Sequence, residues 1–364
     1  MRVLVVGGGI VGLSTAWALA RADHKVEVFE QGGLPNSLGA SIDQHRLIRY
    51  FYPDRPGYCR MVDDAFAAWD RLWAALGRRH YAETGAIAIS ARVDDWTDLA
   101  RRTMDMVGIP YDRYESADVA RRWPFLLTRA NYAIRTKRGG VLFAERIMTD
   151  LVALLAGLQV QRHANSMVTA IDPGRATVTL KDGSTKSGDA VVVALGSWIG
   201  RLFPEFRERV TPVRNALLYV DPPPRLIATW ATAPSIIDCG IDTEIYAVPP
   251  VGGCNLKFGV GAHRRPGDPD RDRGLAGDEA NQIMAYLRNV IADLGTYRLK
   301  TVRSCFYAMA KDERFILERR ERLWIVSACS GHGFKFGALA GEMVADAVTE
   351  KGETEAIAQR LAGY

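Results

Sequence analysis

Long hydrophobic runs are missing from this sequence of 364 residues. No apolar run reaches the roughly 18 to 20 residues that a helix needs to cross a bilayer, so we expect no membrane span. The glycines at 7–9 interrupt the apolar N-terminal run, which argues against a cleaved signal peptide. Internal repeats and low-complexity tracts are missing too. Since 48% of the residues are hydrophobic and 24% charged, the sequence predicts an ordinary globular protein.

Cysteine is scarce, and its few positions do not pair. Five cysteines lie far apart, at positions 59, 239, 254, 305 and 329, and no Cys-x-x-Cys occurs. This pattern disfavours a disulfide framework and a structural zinc site, so we predict no metal and expect a reducing cytoplasm. The net charge of +5 is modest, and the densest basic stretch, 263–274, alternates in sign. We therefore expect no nucleic-acid partner.

Glycine, in contrast, is concentrated near the N-terminus, between two predicted strands. The run RVLVV at 2–6 leads into the turn at 7–12, a helical pattern follows, and KVEVFE at 25–30 ends in Glu30. Such short β-branched runs are typical of buried parallel strands. Strand, glycine turn, helix, strand and acid together form the dinucleotide-binding fingerprint. The alternative is a tight turn that binds nothing.

Each glycine of this fingerprint has a separate physical role. Gly7 permits the tight turn, Gly9 allows a pyrophosphate to approach the backbone, and Gly12 allows helix and strand to pack closely. The pyrophosphate would lie at the helix N-terminus, where free N–H groups favour negative charge. Glu30, 18 positions after Gly12 (30 − 12), can accept the ribose hydroxyls and would repel a 2′-phosphate. FAD and NAD both remain open, and NADP is disfavoured.

The rest of the chain predicts an α/β protein of two domains. Strands near 2–6, 25–29, 191–194 and 323–328 are expected to form one sheet despite their separation in sequence. The turn KDGS at 181–184 predicts a hairpin. Further β-type runs between 213 and 260 are expected to belong to a second domain. Helical patterns cover 58–76, 94–107, 145–156, 278–294 and 337–349.

Six segments, in order, resemble the D-amino-acid oxidase superfamily of FAD enzymes, and within it the monomeric sarcosine oxidase branch. They are VVGGGIVGLSTAWALA, HRLIRYFYP, VVVALGSW, IYAVPPVGGCNLKFG, CFY and SGHGFKFG. The resemblance implies a Rossmann-type FAD-binding domain over 1–80, 139–212 and 300–364. A β-sheet-rich α+β substrate domain over 81–138 and 213–299 would be interleaved with it.

The resemblance also implies which residues contact FAD. Cys305, two positions before Tyr307, matches a cysteine that forms a thioether to the flavin 8α-methyl; the alternative is a plain buried thiol. Arg46 is expected near the flavin ring. The full set of expected cofactor contacts is Gly7, Gly9, Ile10, Val11, Gly12, Glu30, Gln31, Ser41, Arg46, Val168, Ala194, Gly196, Trp198, Cys305, Gly331, His332, Gly333, Phe334 and Lys335.

Five residues are the expected catalytic set, again by resemblance. Arg49 and Lys335 would bind the substrate carboxylate, because a guanidinium fork can pair with both carboxylate oxygens. Lys257, on a predicted strand whose Leu256, Phe258 and Val260 face the other way, would activate dioxygen as a fixed cation. The remaining two, Tyr246 and Tyr307, would line the substrate cavity. The alternatives are an exposed basic turn for Arg49, an outward-facing lysine at 257 and core packing for the two tyrosines.

Two departures from sarcosine oxidases put sarcosine itself in doubt as the substrate. Ile42 replaces a residue of the histidine-glycine pair before Arg46, and Gly261 stands where the family has a histidine, with His263 two residues later. We therefore expect a changed pocket, with Ile42 at a pocket position, for an N-substituted or cyclic amino acid.

The reaction that the resemblance implies is oxidation of a carboxylate-bearing secondary amine. A hydride equivalent would pass to flavin N5, and dioxygen would then be reduced to hydrogen peroxide. Small-molecule amine and dioxygen are the expected partners of a monomer. The alternatives are a dehydrogenase that uses another electron acceptor, and a non-catalytic flavin-binding protein. A D-amino-acid oxidase proper is disfavoured by Cys305.

Overall fold

The structure is a computed structural model, and it describes residues 1–127, 129–240 and 244–364. Within these ranges the helices are α1 (Ile10–Ala20), α2 (Pro56–Leu76), α3 (Trp96–Val107), α4 (Ser116–Arg122), α5 (Ala144–Gly157), α6 (Ile199–Leu202), α7 (Ile227–Ala231), α8 (Glu279–Leu287), α9 (Gly337–Val348) and α10 (Thr354–Leu361).

The strands of the same ranges are β1 (Arg2–Val6), β2 (Lys25–Phe29), β3 (Arg46–Ile48), β4 (Tyr81–Ala82), β5 (Ala86–Ser90), β6 (Asp112–Glu115), β7 (Tyr132–Thr136), β8 (Gly140–Leu142), β9 (Gln161–His163), β10 (Val168–Asp172), β11 (Thr177–Leu180), β12 (Thr185–Ser187), β13 (Ala190–Val193), β14 (Val210–Asp221), β15 (Ser235–Asp238), β16 (Ile245–Val248), β17 (Leu256–Val260), β18 (Arg265–Pro266), β19 (Arg298–Ala310), β20 (Ile316–Arg320) and β21 (Leu323–Ser327).

A six-stranded sheet in the order β20-β21-β13-β1-β2-β9 holds the N-terminal fingerprint. Its four central strands run parallel and are the four that the sequence predicts to share a sheet, so this prediction is confirmed. Their continuous apolar runs follow from burial on both faces: Val3, Leu4 and Val5 in β1 are fully buried. The glycine turn therefore lies at the carboxyl end of β1, where ligands bind in such folds.

A nine-stranded, largely antiparallel sheet forms the second layer, with the long strands β14 and β19 paired along their whole length. Strand β17 pairs with β14 on one side and β16 on the other. Leu256, Phe258 and Val260 of β17 belong to the hydrophobic core behind the sheet. Lys257 therefore faces the opposite side, as the period of two predicts.

Two local predictions have different outcomes. The KDGS turn does form a hairpin, and it joins β11 to β12. The helix predicted over 278–294 is too long, because α8 ends at Leu287. The chain beyond it bonds instead to another segment: Leu127 N donates to Val290 O, and Ala292 N donates to Phe125 O, both at 2.8 Å.

The two large sheets draw on separate parts of the chain. The six-stranded sheet takes its strands from 2–29, 161–193 and 316–327, and the nine-stranded sheet mainly from 86–136 and 210–310. The domain boundaries given above stay a prediction. None of the helices in the described ranges is long and apolar enough to cross a membrane. The same residues contain no group of metal-ligating side chains that could hold an ion.

Candidate functional site

One cavity of about 820 Å³ brings together nearly all the predicted site residues. Its volume lies in the upper part of the usual range for small-molecule sites. Every predicted cofactor-binding or catalytic residue lines it except Gly12. Those that do so are Gly7, Gly9, Ile10, Val11, Glu30, Gln31, Ser41, Arg46, Arg49, Val168, Ala194, Gly196, Trp198, Tyr246, Lys257, Cys305, Tyr307, Gly331, His332, Gly333, Phe334 and Lys335.

Gly12 lies outside the cavity because it acts in packing. A Cβ on Gly12 would lie 1.9 Å from the carbonyl oxygen of Gly7, a distance that no side chain tolerates. Gly7 itself has a φ of +114°, and a Cβ there would meet the carbonyl oxygen of Ala194 at 2.3 Å. The turn can therefore form only with glycine at both positions. It places the N-terminus of α1 beside the cavity.

Glu30 and Ser41 fix the edge of this turn. The carboxylate of Glu30 is buried and accepts hydrogen bonds from the backbone N–H of Gly8 at 2.7 Å and of Gly32 at 3.0 Å. The Ser41 hydroxyl accepts one from the N–H of Ile10 at 2.9 Å. The Glu30 carboxylate thus lies at the carboxyl end of β2, and the Ser41 hydroxyl lies at the N-terminus of α1. These are the places where the fingerprint puts the ribose and the pyrophosphate.

A second group of cavity residues is basic and has no carboxylate partner in the described part of the chain. Arg49 has a buried Nη1 that lacks a hydrogen-bond partner among the described residues, and its guanidinium stacks over the rings of Tyr52 and Trp96 at 4.8 and 5.5 Å. Lys335 is 4% exposed, and its Nζ donates to the Tyr52 hydroxyl at 2.9 Å. Burial, with Arg49 nearby, lowers the pKa of Lys335 well below its usual range.

Tyr52 connects Lys335 to His332. The Tyr52 hydroxyl accepts a hydrogen bond from Lys335 Nζ and lies 3.0 Å from His332 Nδ1. The other ring nitrogen of His332, Nε2, lies 3.2 Å from the carbonyl oxygen of Glu313. The Glu313 oxygen can only accept, so His332 carries its proton on Nε2 and accepts a hydrogen bond from the Tyr52 hydroxyl at Nδ1. Burial lowers the pKa of His332 well below 6.5, which keeps the ring neutral. This chain of bonds fixes the Lys335 nitrogen in place.

Lys257 is the second buried lysine, and it is 2% exposed, so the reading as an outward-facing surface lysine is wrong. Its Nζ donates to the carbonyl oxygen of His45 at 2.7 Å and to Asp43 Oδ2 at 3.2 Å. Asp43 also pairs with the guanidinium of Arg46 and accepts from the Tyr219 hydroxyl. Burial first, then the charge of Arg46, lowers the pKa of the Lys257 ammonium.

The face of the sheet that carries Lys257 also carries the aromatic and thiol candidates. A Cβ on Gly259 would lie 2.2 Å from the Tyr246 ring, so this glycine leaves room for the ring beside Lys257. Cys305 is 9% exposed, forms no disulfide with another cysteine of the described ranges, and packs with Leu217, Tyr219 and Tyr246. Tyr307 follows on the same face of β19, and burial raises its pKa to about 12.

Several residues of the site were missed from sequence. Tyr52 lies inside the HRLIRYFYP motif, three positions after Arg49, so its place in the motif could have indicated it. Trp96 and Asp43 carried no comparable signal. The expectation that Ile42 occupies a pocket position is not met, since Ile42 does not line the cavity while Gly261 does. His263 instead lies 3.2 Å from Glu279.

Four cavity residues have buried polar atoms that need a partner. They are Arg49 Nη1, Ser197 Oγ, Asn215 Oδ1 and Ser327 Oγ, none of which has a hydrogen bond within the described part of the chain. Leaving a buried polar atom unpaired costs about 1–3 kcal/mol, and folded proteins rarely do so. A polar ligand is therefore expected along the cavity, and the glycine turn with Glu30 suits the dinucleotide end of FAD.

His45, whose backbone holds Lys257, makes folding sensitive to acid. Burial, then the charge of Lys257, lowers the pKa of its imidazole from 6.5 to about 3. The neutral His45 ring therefore makes its full contribution to the unfolding free energy above about pH 6.5, and this contribution is lost as pH falls toward 3. We expect His45 to account for about 2 kcal/mol of the unfolding free energy lost between about pH 7 and pH 5. Urea unfolding at both pH values should show that the unfolding free energy of His45→Asn falls less between them than that of the wild type. An equal fall in both proteins would contradict this prediction.

Comparison with known proteins gives three findings. The family model described as DAO, FAD dependent oxidoreductase, matches residues 2–347. An N-methyl-L-tryptophan oxidase of Yersinia pestis (strain Pestoides F) is 26% identical in an alignment of 358 positions that covers 94% of this chain and 93% of that relative. Many solved structures share this fold, and two of them are described here.

The first is NikD, an unusual amino acid oxidase essential for nikkomycin biosynthesis, with a TM-score of 0.82 at 23% identity over 99% of this chain and 96% of that one. The second is L-proline dehydrogenase from P. horikoshii, also with a TM-score of 0.82, at 18% identity over 96% and 93%. At these identities the two structures show a shared fold and nothing more.

Proposed function

The chain belongs to the DAO family of FAD-dependent oxidoreductases, and on that premise we propose that it oxidises an N-substituted amino acid with dioxygen as acceptor. The observation that carries this proposal is that two basic side chains, the half-buried Arg49 and the buried Lys335, line the cavity without a carboxylate partner in the described ranges. Buried charges are costly unless they are paired. The substrate carboxylate is the partner that this pair would take.

The arrangement of the two cations suits an amino-acid carboxylate. The guanidinium of Arg49 can pair with both carboxylate oxygens, and stacking on Tyr52 and Trp96 restricts its plane. Lys335 adds a second charge whose position is fixed through Tyr52. A carboxylate held in this way would leave the amine and its substituent directed into the rest of the cavity, and the substituent is therefore the variable part of the substrate.

FAD would supply the acceptor for the hydride equivalent and pass both electrons to dioxygen. The glycine turn, Glu30 and Ser41 would hold its dinucleotide half, and Cys305, Arg46 and Lys257 would lie along the flavin. No general base is needed on the protein if the substrate amine is bound neutral. Lys257 would then provide a fixed positive charge where negative charge develops on dioxygen. Hydrogen peroxide is the expected product.

The fold alone does not decide the electron acceptor, because a dehydrogenase shares it. The oxidase named N-methyl-L-tryptophan oxidase matches over almost the whole chain, and its name describes an N-methyl amino acid as substrate. Both points favour an N-substituted amino acid and dioxygen here. A dehydrogenase with a quinone acceptor is the second candidate.

Anaerobic titration of the purified protein tests the proposal. The flavin absorbance should be bleached by N-methyl amino acids or cyclic imino acids, and far more slowly by the matching amines that lack the carboxylate. Admitting air should restore the spectrum and release one hydrogen peroxide for each substrate consumed. Bleaching that air does not reverse, but a quinone does, would support the dehydrogenase instead. A spectrum that no amino acid bleaches would contradict catalysis.

Covalent attachment of the flavin through Cys305 is part of the proposal. We expect the flavin to stay on the polypeptide after acid denaturation of the wild type and to be released from Cys305→Ala, because only a thioether survives unfolding. Cys329→Ala is the matched control, since Cys329 is a half-buried thiol that also lines the cavity. Flavin absorbance that remains with denatured Cys305→Ala would show that Cys305 is not the attachment point.

A further inference from the structure

Asp43 is a buried carboxylate next to the proposed dioxygen site, yet it does not line the cavity. It is 1% exposed and bonds to side chains from two separate parts of the chain. Its Oδ2 pairs with Lys257 Nζ at 3.2 Å and with Arg46. Its Oδ1 accepts from the Tyr219 hydroxyl and from the backbone N–H of Gln44, the latter at 2.8 Å.

These four contacts determine the charge of Asp43. The guanidinium and the backbone N–H can only donate, whereas the Tyr219 hydroxyl can donate or accept. An ionised Asp43 can accept from all of these groups, whereas a protonated Asp43 would leave the permanent Arg46 cation without an anionic partner among the described residues. The carboxylate is therefore anionic, and each of its four contacts is a charge-assisted or ordinary hydrogen bond to an acceptor.

The surroundings of Lys257, in contrast, do not all favour its charged form. Burial and the neighbouring Arg46 cation both disfavour a proton on its nitrogen. Its two hydrogen-bond partners, Asp43 Oδ2 and the His45 carbonyl, can only accept, and only Asp43 carries negative charge. An ammonium would use two of its three hydrogens on them and keep the third for the cavity that Lys257 lines.

We propose that Asp43 is the counter-ion that keeps Lys257 protonated at neutral pH, and thus a positioning residue for the charge that acts on dioxygen. The counter-ion role concerns Lys257 alone, while its consequence for dioxygen rests on the proposed function. Other titratable or charged groups face Lys257 as well: His45, Arg46, Tyr219, Cys254, Arg303 and Cys305. Asp43 is the carboxylate among these described neighbours, and it is therefore the group that offsets the charge of Lys257.

The test follows the ionisation of Lys257 directly in the holoenzyme. Lysine labelled with ¹³C at the ε-carbon reports deprotonation by NMR, and the signal missing from Lys257→Met identifies the residue. In the wild type, the signal should stay at the ammonium position from about pH 6 to about pH 9. In Asp43→Asn, which keeps the size and one acceptor, it should move to the amine position within that range.

The reaction with dioxygen should follow the same titration. As the pH rises from about 6 to about 9, the rate constant for reoxidation of Asp43→Asn by dioxygen should fall at least about tenfold, because a neutral amine no longer stabilises negative charge on dioxygen. The rate constant of the wild type should fall less than about twofold over the same pH range. Tyr219→Phe is the control: it removes one donor to Asp43 without changing a charge, and Lys257 should stay protonated.

Two outcomes would overturn the counter-ion role: a neutral Lys257 in the wild type at about pH 7, or a Lys257 that stays protonated through about pH 9 in Asp43→Asn. The wild-type titration decides even if Asp43→Asn does not fold. A Lys257 that titrates as expected, with a dioxygen rate that ignores it, would support the counter-ion role and contradict the proposed role of Lys257 with dioxygen.

Discussion

Replacing Arg49 by methionine is expected to lower kcat/KM for the amino-acid substrate by roughly 10²- to 10³-fold, or about 3–4 kcal/mol. Methionine fills a similar volume between Tyr52 and Trp96 but cannot pair with a carboxylate. The substrate carboxylate would then be buried with Lys335 as its only cation. Anaerobic reduction at varied substrate concentration should show that weaker binding accounts for most of the loss.

Two comparisons separate this effect from a general loss of charge or structure. Arg60→Met makes the same change at an exposed position of α2 and should leave kcat/KM within about twofold. An amine of the same shape without the carboxylate should react equally slowly with the wild type and Arg49→Met. If Arg49→Met reduces the rates with both compounds alike, Arg49 supports the fold or the flavin and does not bind the carboxylate.

Those parts of the molecule that rest on short-range chemistry could be predicted from sequence. Gly7 and Gly12 are fixed by a turn and a helix contact within ten residues of each other, and Glu30 ends the adjoining strand. The central strands of the six-stranded sheet are continuous apolar runs, so their burial on both faces is readable. Lys257 could be assigned to one face of its strand from the alternation of its neighbours.

Contacts between distant segments were beyond the same reasoning. The role proposed for Asp43 depends on its contacts with Tyr219 and Lys257, which lie 176 and 214 positions away in the chain. Nothing in the letters SIDQH distinguishes a buried counter-ion from a surface turn. Likewise, α8 ends early because the following backbone pairs with Phe125 and Leu127, a competition that local helix propensity does not contain.

Replacing Lys257 by methionine is expected to slow reoxidation of the flavin by dioxygen by roughly 10²- to 10³-fold and to leave anaerobic reduction by substrate nearly unchanged. The ammonium would act only where negative charge develops on dioxygen, whereas the substrate carboxylate is expected at Arg49 and Lys335. The fold should tolerate the change, because Asp43 keeps Arg46, Tyr219 and the Gln44 N–H as partners. Stopped-flow absorbance of the two half-reactions measures both rates separately.

Lys311→Met is the matched control, since Lys311 is an exposed lysine just beyond the end of β19, and neither half-reaction should change. Equal slowing of both half-reactions in Lys257→Met would mean that the lysine shapes the site as a whole. A wild type whose reduced flavin reacts slowly with dioxygen but rapidly with a quinone would indicate a dehydrogenase. The charge of Lys257 would then not act on dioxygen, and the buried pair of Lys257 and Asp43, 3.2 Å apart, would belong to a dehydrogenase.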